Sequence, residues 1–271
     1  MFAPSWLMTG LTVLLCALFV ALGRWQWGRY EAKRELWAQF ERGAGQRVEL
    51  GSRATTGLPR YARVRVEGRW LPQRQFLLEN RSYEGRPGYE VLTPFVLPDG
   101  RLLVVNRGWV PFGGYRDRLP DVAGAFAGLD AAQPVAIAGR LDELPSAGLA
   151  AGRAAPALEG GWPRLTSFPT AAQLAASLGA QLAADDGVPP GASDRELAGA
   201  GTTTDAARGG PRLERRVLLL DPAEPRGYVR AWKPGGRGPE QNWSYAIQWW
   251  SFAVVLAGLY LGLNLRRAPP A

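Results

Sequence analysis

Long uncharged apolar runs lie near both ends of the chain, and shorter alternating runs fill the sequence between them. Residues 6–23 contain 18 positions without a charge, and residues 245–263 contain 19. At 1.5 Å per helical residue, each run covers about 27 Å, close to the roughly 30 Å of hydrocarbon in a bilayer. The pattern predicts one transmembrane helix within residues 1–23 and a second within residues 245–265.

A cleaved signal peptide is the alternative interpretation of the first run. Such a peptide normally has a basic start, a shorter apolar run and small residues at its cleavage site. Residues 1–5 carry no basic side chain, and Arg24-Trp25-Gln26-Trp27 follows the run where a cleavage site would be. We therefore expect the first helix to be retained.

Between the two apolar runs the period of the pattern changes. Residues 25–42 keep helical spacing with mixed charges, which predicts that the first helix continues as a polar one. From Tyr61 polar and apolar residues alternate, which is typical of a strand with one wet face. The strand-like runs are 61–70, 75–80, 89–97, 101–110, 134–141, 215–221 and 227–232.

The rest of the central segment holds one helical run and two loose stretches. Residues 170–182 are rich in Ala and Leu and predict an inserted helix. Residues 147–161 and 183–211 are poor in large apolar side chains, and we predict that 183–211 is a disordered insert. The predicted fold class is a membrane protein whose two transmembrane helices flank a β-rich extramembrane domain, residues 24–244. That domain is expected to be an antiparallel sheet or partial barrel with one inserted helix.

Composition excludes several kinds of site. The chain has no histidine among 271 residues, and its single cysteine, Cys16, lies in the first helix. These counts exclude a histidine-ligated zinc, a Ser-His-Asp triad, a Cys-His dyad, a bis-histidine haem and an intrachain disulfide. We predict neither a catalytic nor a metal-ligating residue.

The charge pattern indicates a lipid surface and not nucleic acid as a partner. The central segment holds 30 of the 32 Lys and Arg residues and all 24 Asp and Glu residues, so it is only mildly basic. The basic residues are scattered, without the block interleaved with aromatics that nucleic-acid binding favours. A mildly basic domain beside an anionic bilayer is the simpler interpretation.

The charges that flank the helices give a mixed signal for orientation. Four basic residues between positions 24 and 34 follow the first helix, which favours a cytoplasmic central domain. Arg266 and Arg267 follow the second helix, which favours an external central domain and a cytoplasmic tail, residues 266–271. A start upstream of Met1 would change this balance. Because long domains translocate largely regardless of charge, the residues alone leave the orientation open.

Residues 78–111 are rich in candidate contact residues. The pair Asn-Arg occurs twice, ending at Arg81 and Arg107, and Trp109 follows closely. The planar fork of arginine suits carboxylates, such as haem propionates or the acidic groups of a partner. The alternative interpretation of each is an exposed arginine at the end of a strand.

A second candidate cluster lies at the membrane end of the last helix. Tyr245, Gln248, Trp249 and Phe252 follow i, i+3, i+4, i+7 spacing and should share one face, with Asn242 a turn earlier. If the two helices pair, these residues lie at the same membrane surface as Trp25, Gln26 and Arg29 of the first helix. An aromatic belt at the bilayer surface is the alternative, but it explains Gln248 less well, because an amide in an apolar run needs a partner.

Several short stretches along nearly the whole chain carry a resemblance to a known family. They are Leu22–Gln26 with Arg29 and Lys33, Glu79–Arg81 with Gly85, Gly88–Pro94, Val105–Pro111, Pro239–Glu240, Tyr245–Trp249 and Asn264–Arg267. In these stretches the chain is similar to the Surfeit locus protein 1 family, membrane proteins that assist assembly of haem-copper cytochrome oxidase.

The resemblance implies a location, partners and a role. It implies a multi-pass protein of the bacterial inner membrane with a periplasmic domain and both termini in the cytoplasm. The implied partners are cytochrome c oxidase subunit I and the proteins of haem a synthesis and assembly. The implied role is to assist haem a insertion into subunit I, or its stabilisation there, through protein contact and not catalysis. The expected haem or partner contacts are Trp25, Gln26, Arg29, Arg81, Arg107, Trp109, Asn242, Tyr245, Gln248 and Trp249.

One residue departs from the family pattern. A histidine commonly stands two positions after Pro-Glu in the family and is proposed to contact haem, whereas this chain has Asn242 there. Asparagine is not a useful axial ligand for haem iron. Met1 and Met8 lie at the far start of the first helix, so any haem a held transiently would depend on Tyr245 or a partner for a ligand.

Two other classes of function remain as alternatives. One is a membrane-anchored enzyme acting on lipid or envelope substrates, which would have to rely on carboxylates such as Glu79, Glu90 and Asp99. Strand alternation explains Glu90, and the turn before residue 101 explains Asp99, so no carboxylate pair stands out. The other alternative is a general envelope scaffold or sensor without a connection to haem.

Overall fold

The computed structural model describes residues 5–43, 45, 47–114, 118–128, 130, 133–145, 161–182, 211–236 and 238–265. They belong to two compact units: a helical unit from Met1–Glu41 and Lys233–Ala271, and a β domain from Arg42–Trp232. The predicted insert over 183–211 and the loose stretch over 147–161 lie outside the described residues, except for their end positions 211 and 161.

The helical unit contains the two long terminal helices. Helix α1, Trp6–Arg42, runs without interruption through the predicted end of the membrane span at residue 23 and includes the polar extension. Helix α3, Glu240–Asn264, begins five residues before the predicted start at 245. The helix begins there because Pro239 and Glu240 suit a helix N-terminus, where a missing N–H and a negative charge are both tolerated. Both helices are long and apolar enough to cross a membrane, by length and composition.

The two helices pack antiparallel along most of the apolar part of α1. Near its start the hydroxyls of Thr9 and Tyr260 hydrogen-bond at 2.5 Å. Further along, the Cys16 thiol lies 3.6 Å from the carbonyl oxygen of Ala253. The contacts continue at steps of three or four residues, the spacing that keeps one stripe of each helix against its neighbour.

The described part of the β domain contains nine strands and one short α-helix. The strands are β1 (Val48–Glu49), β2 (Arg63–Trp70), β3 (Phe76–Tyr83), β4 (Arg86–Val96), β5 (Leu102–Pro111), β6 (Val135–Asp142), β7 (Arg164–Thr166), β8 (Gln181–Leu182) and β9 (Arg212–Leu220). Six of the seven predicted strands are confirmed to within a few residues. The seventh, 227–232, is wrong: only Val229 pairs there, in a single bridge to Trp109.

The inserted helix is shorter than its sequence pattern predicts. Helix α2, Ala171–Leu178, starts at a capping box formed by Thr170 and Gln173. Gly179 ends it in the left-handed conformation, with φ of 67°. The following residues 181–182, predicted as helix, pair with β9 as strand β8.

Five strands close into a ring, so that of the two predicted alternatives, a sheet or a partial barrel, the barrel is the one observed. The order is β2, β6, β9, β5, β4 and back to β2, where Trp70 pairs with Phe95. The antiparallel expectation was wrong for four pairings, because β5–β9, β1–β2, β3–β7 and β8–β9 are all parallel. Parallel neighbours need a long crossover, and the chain between β5 and β9 is long enough to supply it.

Apolar residues fill the barrel and also cover part of its outside. The inner cluster includes Val64, Phe95, Val105 and Leu218. Alternate residues of β5 and β9 face α2 and form a second cluster around Leu174. Because both faces of these two strands are buried, their sequences show continuous apolar runs instead of alternation.

Candidate contact sites of the helix pair and the β domain

Asn242 and Gln26 join the two long helices through their side-chain amides. The Asn242 Nδ2 donates to Gln26 Oε1 at 2.7 Å. Asn242 is 8% exposed, and its own Oδ1 is buried without a hydrogen-bond partner among the described residues. Asn242 is therefore an interhelical hydrogen-bond donor that keeps one acceptor unused.

Aromatic rings also pack between the two helices. Trp249 stacks on Phe19 with ring centroids 5.8 Å apart, and Trp250 lies 5.8 Å from Trp27. Gly23 makes the second contact possible, since a Cβ there would lie 2.3 Å from Trp250 Nε1. The structure thus joins Gln26 to Asn242 and Phe19 to Trp249, from opposite ends of the chain.

The predicted common face of α3 is divided by this packing. The stripe against α1 runs through Asn242, Ala246 and Ala253, all buried. Tyr245, which is 43% exposed, and Gln248 point away from α1. Trp249 packs against α1 while Tyr245 and Gln248 are exposed, because the buried stripe is rotated by about one residue toward the smaller side chains.

Trp25 and Arg29 form an exposed pair on the first helix. Trp25 is 56% exposed, and the Arg29 guanidinium lies 5.3 Å from the centroid of its ring. The arrangement is a cation–π contact between residues one turn apart. These two side chains are accessible, whereas Gln26 beside them is turned into the helix pair.

A separate polar cluster forms in the β domain from the two Asn-Arg stretches. The Asn106 Nδ2 donates to Glu90 Oε2 at 2.8 Å, and Arg81 Nε lies 3.8 Å from the same oxygen. Arg81 keeps 26% of its side chain exposed, so it can still reach a partner's carboxylate. Strands β3, β4 and β5 place these three residues side by side.

The ring of Trp109 packs over Gly88 of strand β4, beside this polar cluster. A Cβ on Gly88 would lie 2.5 Å from Trp109 Nε1, so only glycine leaves room for the ring. The Tyr83 ring lies 5.6 Å from Trp109. Trp109 is half-buried with its indole N–H enclosed, which makes it a packing residue of the cluster.

Arg107 lies at the opposite extreme of exposure, with 0% of its surface accessible. Its Nε donates to the carbonyl oxygen of Arg226 at 2.8 Å, and its Nη1 donates to Gln75 Oε1 at 2.9 Å. The guanidinium also lies 4.2 Å from the Phe126 centroid and 4.9 Å from that of Tyr228. Its interpretation as an exposed strand-end arginine is wrong, and its side chain presents no surface for docking.

Burial dominates the electrostatics of Arg107. It lowers the pKa of the guanidinium to about 10, while Tyr228 acts in the opposite direction. No ion pair joins Arg107 to a carboxylate in the described part of the chain. Neutral oxygens and aromatic faces therefore hold this cation.

Sequence reasoning missed the residues that support Arg107. Gln75 also accepts from Thr93 Oγ1 at 2.9 Å, and both residues are buried. The available signal in the sequence was Thr93, a polar residue that lies between Leu92 and Phe95 in an apolar strand. Its partner could not be read from the chain, because the two residues come from different elements.

In the described part of the helix pair, Tyr245 is an exposed phenol that can ligate haem iron, whereas Asn242 and Cys16 are engaged between the helices. The side-chain amide of Asn242 is already engaged with Gln26. The thiol of Cys16 lies against a backbone carbonyl between the helices, and Met8 lies near the start of α1. The unused Asn242 Oδ1 can accept a hydrogen bond, but an amide oxygen is a poor ligand for iron.

Comparison with known proteins gives consistent matches. The model of a family described as the SURF1 family matches residues 13–254. A SURF1-like protein of Rickettsia felis is 29% identical over 104 residues, covering 37% of this chain and 46% of the relative. One from Rickettsia bellii is 31% identical over 104 residues, covering 37% and 43%. An uncharacterised SURF1-like protein of Mycobacterium tuberculosis is 30% identical over 193 residues, covering 66% of each chain. The alignments span less than half the length of the two Rickettsia relatives.

Proposed function

The chain belongs to the SURF1 family, and from this premise we propose that it assists assembly of haem-copper cytochrome c oxidase in the bacterial inner membrane. The proposed task is to help haem a enter, or remain in, oxidase subunit I. The protein would act by contact and not by catalysis, with both termini in the cytoplasm and the β domain in the periplasm.

The observation that carries the proposal is the division of α3 into two faces. One face is used by α1, so the amide of Asn242 and the ring of Trp249 are occupied. The other face presents Tyr245 and Gln248 outward within an apolar helix. An exposed amide at this depth gains most from a hydrogen-bonding partner helix, because lipid tails offer it none.

A membrane-embedded oxidase subunit is a partner of the required kind. Its helices can supply donors and acceptors to Gln248 and packing for Tyr245, while the exposed pair Trp25 and Arg29 would contact its rim or lipid headgroups. In the β domain, Arg81 is the accessible cation of the polar cluster and would pair with a partner's carboxylate.

Haem a is proposed as a transient guest of the complex and not as a resident cofactor of this chain. Since Asn242 and Cys16 do not fit an axial-ligand role, iron ligation would be left to Tyr245 or to the partner. The contribution of this chain would be steric, through the aromatic surface at the helix pair.

The test is complementation of a strain lacking this gene. Membranes are scored for the reduced-minus-oxidised haem a spectrum, and the protein level is measured by immunoblot. We expect Gln248→Leu and Tyr245→Ala to lower the haem a signal several-fold at normal protein level. Ile247→Ala is the matched control, because Ile247 is equally exposed on the same turn but is purely apolar.

Either of two outcomes would count against the proposal. A wild-type spectrum in the deletion strain would remove the link to oxidase and favour the general envelope scaffold or sensor. Loss of the signal with Ile247→Ala as well would show that α3 acts only as an anchor.

A further inference from the structure

Trp25 and Arg29 lie just beyond the apolar run of α1, on a side of the helix that α3 leaves open. Trp25 is 56% exposed, and Arg29 is exposed as well. The next residue after Trp25, Gln26, is bonded to Asn242 and identifies the covered side of α1. The pair is therefore accessible to whatever surrounds the two helices.

Helix geometry sets the depth of the two residues relative to a bilayer. Trp25 comes two residues after Gly23, where the apolar run ends, and Arg29 comes six residues after it. At 1.5 Å per residue their backbones lie about 3 Å and about 9 Å beyond that end. The headgroup layer of a bilayer is about 5–8 Å thick on each side. The backbone of Trp25 would thus lie within this layer, and that of Arg29 at its outer edge.

The side chain of Arg29 is turned back toward the apolar run. Its guanidinium lies 5.3 Å from the centroid of the Trp25 ring, which belongs to the preceding helical turn. Side chains on a helix lean toward its N-terminus, and for α1 at this point that direction leads to the membrane. The indole face holds the cation there by a cation–π contact. The charge of Arg29 therefore lies at headgroup depth, although its backbone lies further out.

The charges along this turn of α1 favour an anion. Between Arg24 and Tyr30 the helix carries two basic residues and no acidic one. Glu31 follows two residues after Arg29 and lies about 200° around the helix, so it faces another direction. A guanidinium presents a planar fork of N–H donors that matches the oxygens of a phosphate group. A phospholipid whose headgroup has no ammonium group of its own fits this surface best, because nothing in it repels the arginine.

We infer that Trp25 and Arg29 bind the phosphate group of an anionic phospholipid. The guanidinium donates to the phosphate oxygens, and the indole, which prefers the headgroup zone, keeps the guanidinium at that level. The inference narrows one element of the proposed function, in which the pair would contact either the oxidase or lipid. It rests on the proposed membrane location of the helix pair and not on the oxidase role.

The test is native mass spectrometry of the full chain released from bilayers that contain equal amounts of phosphatidylglycerol and phosphatidylcholine. We expect the wild type to retain phosphatidylglycerol at least about fivefold more often than phosphatidylcholine, since one arginine near an anionic surface is worth about 1 kcal/mol. Arg29→Gln should remove most of this preference. Trp25→Leu keeps the charge but removes the ring that holds it, and should lower the preference about twofold.

Arg34→Gln is the matched control. Arg34 is also exposed on α1, but its backbone lies about 7.5 Å further from the apolar run than that of Arg29. This variant should keep the wild-type preference, and millimolar inorganic phosphate should not displace the lipid. Because all three side chains lie on the helix surface, each variant should keep the wild-type circular dichroism spectrum.

Four results would overturn the inference. They are equal retention of the two lipids by the wild type, an unchanged preference in Arg29→Gln, an equal loss in Arg34→Gln, and displacement of the lipid by inorganic phosphate. The third would indicate a diffuse effect of net charge, and the fourth a site for free phosphate. None of these results involves the oxidase, so the proposed function is tested separately.

Discussion

The side-chain amide of Asn242 donates a hydrogen bond of 2.7 Å to that of Gln26, across 216 positions of sequence. It is the polar contact at one end of an antiparallel helix pair, and the bond between Thr9 and Tyr260 is the contact at the other. Between them lie mainly apolar and aromatic contacts. Polar groups placed at both ends of an apolar seam set the register of the two helices more sharply than apolar packing alone.

A double-mutant cycle of Gln26→Ala and Asn242→Ala should reveal this coupling. We expect an interaction energy of about 0.6 kcal/mol and at most about 1.7 kcal/mol, the range measured for interhelical hydrogen bonds in membranes. The measurement is the free energy of helix separation by steric trapping in bicelles. Gln248→Ala is the control partner for Gln26→Ala, because Gln248 points away from α1. Equal coupling for both pairs would contradict the observed packing.

The chain's single cysteine allows a direct test of helix register. Cys16 Sγ lies 3.6 Å from the backbone oxygen of Ala253, so Ala253→Cys places a second thiol beside it. Mild oxidation should then produce an intramolecular disulfide, seen as a faster band on a non-reducing gel. Val254→Cys should remain unlinked, since Val254 is 72% exposed on the other side of α3. Crosslinking at position 254 and not 253 would require a rotated helix.

Replacing Arg107 should destabilise the β domain and not merely alter its surface. In Arg107→Met the carbonyl oxygens of Arg226 and Val122 and the amide oxygen of Gln75 lose a charged donor. With each lost bond costing about 1–3 kcal/mol, partly offset by removal of a buried charge, we expect a loss of about 3 kcal/mol.

Hydrogen exchange of the β5 amides in the full chain measures this change. Arg81→Met is the control, and it should cost less than about 1 kcal/mol because Arg81 is partly exposed and its contact with Glu90 is long. If the two variants lost similar protection, the buried network around Arg107 would not contribute as its contacts indicate.

Asp221 should make stability depend on pH in the acid range. Burial opposes its ionisation, but hydrogen bonds from the Ala223 N–H and from Arg63 outweigh that effect and lower the pKa of the carboxyl below 3.8. Because the folded-state pKa is depressed, the stabilisation is fully present above the unfolded pKa and is lost as the pH falls through the folded value.

We therefore expect the unfolding free energy of the wild type to decline more steeply below about pH 4 than that of Asp221→Asn. The comparison is made by chemical denaturation at several pH values, with near-neutral pH as the reference. Burial raises the pKa of Asp142, so this residue makes stability depend on pH in the opposite direction, and it does so in both the wild type and Asp221→Asn. The difference between the curves of these two proteins therefore isolates the contribution of Asp221. Parallel curves would show that Arg63 does not stabilise the ionised carboxylate.

The sequence by itself determined the two apolar helices, six of the strands, the inserted helix and the family. These features depend on local periodicity, turn residues and motifs that neighbouring positions carry together. Periodicity also predicted that β-rich runs would form a sheet or barrel. It could not specify which strands pair, because pairing depends on contacts between distant segments.

Only the tertiary structure decided the closed ring, the parallel pairing of β5 with β9 and the burial of Arg107. The sequence suggests that an arginine near the end of a strand is exposed. Arg107 is buried because oxygen atoms and an aromatic ring from other elements surround its guanidinium. The same holds for α3, where helical spacing defined several possible faces. Packing selected the one through Ala246 and Ala253, since small residues allow close approach of two helices and leave Tyr245 and Gln248 outside.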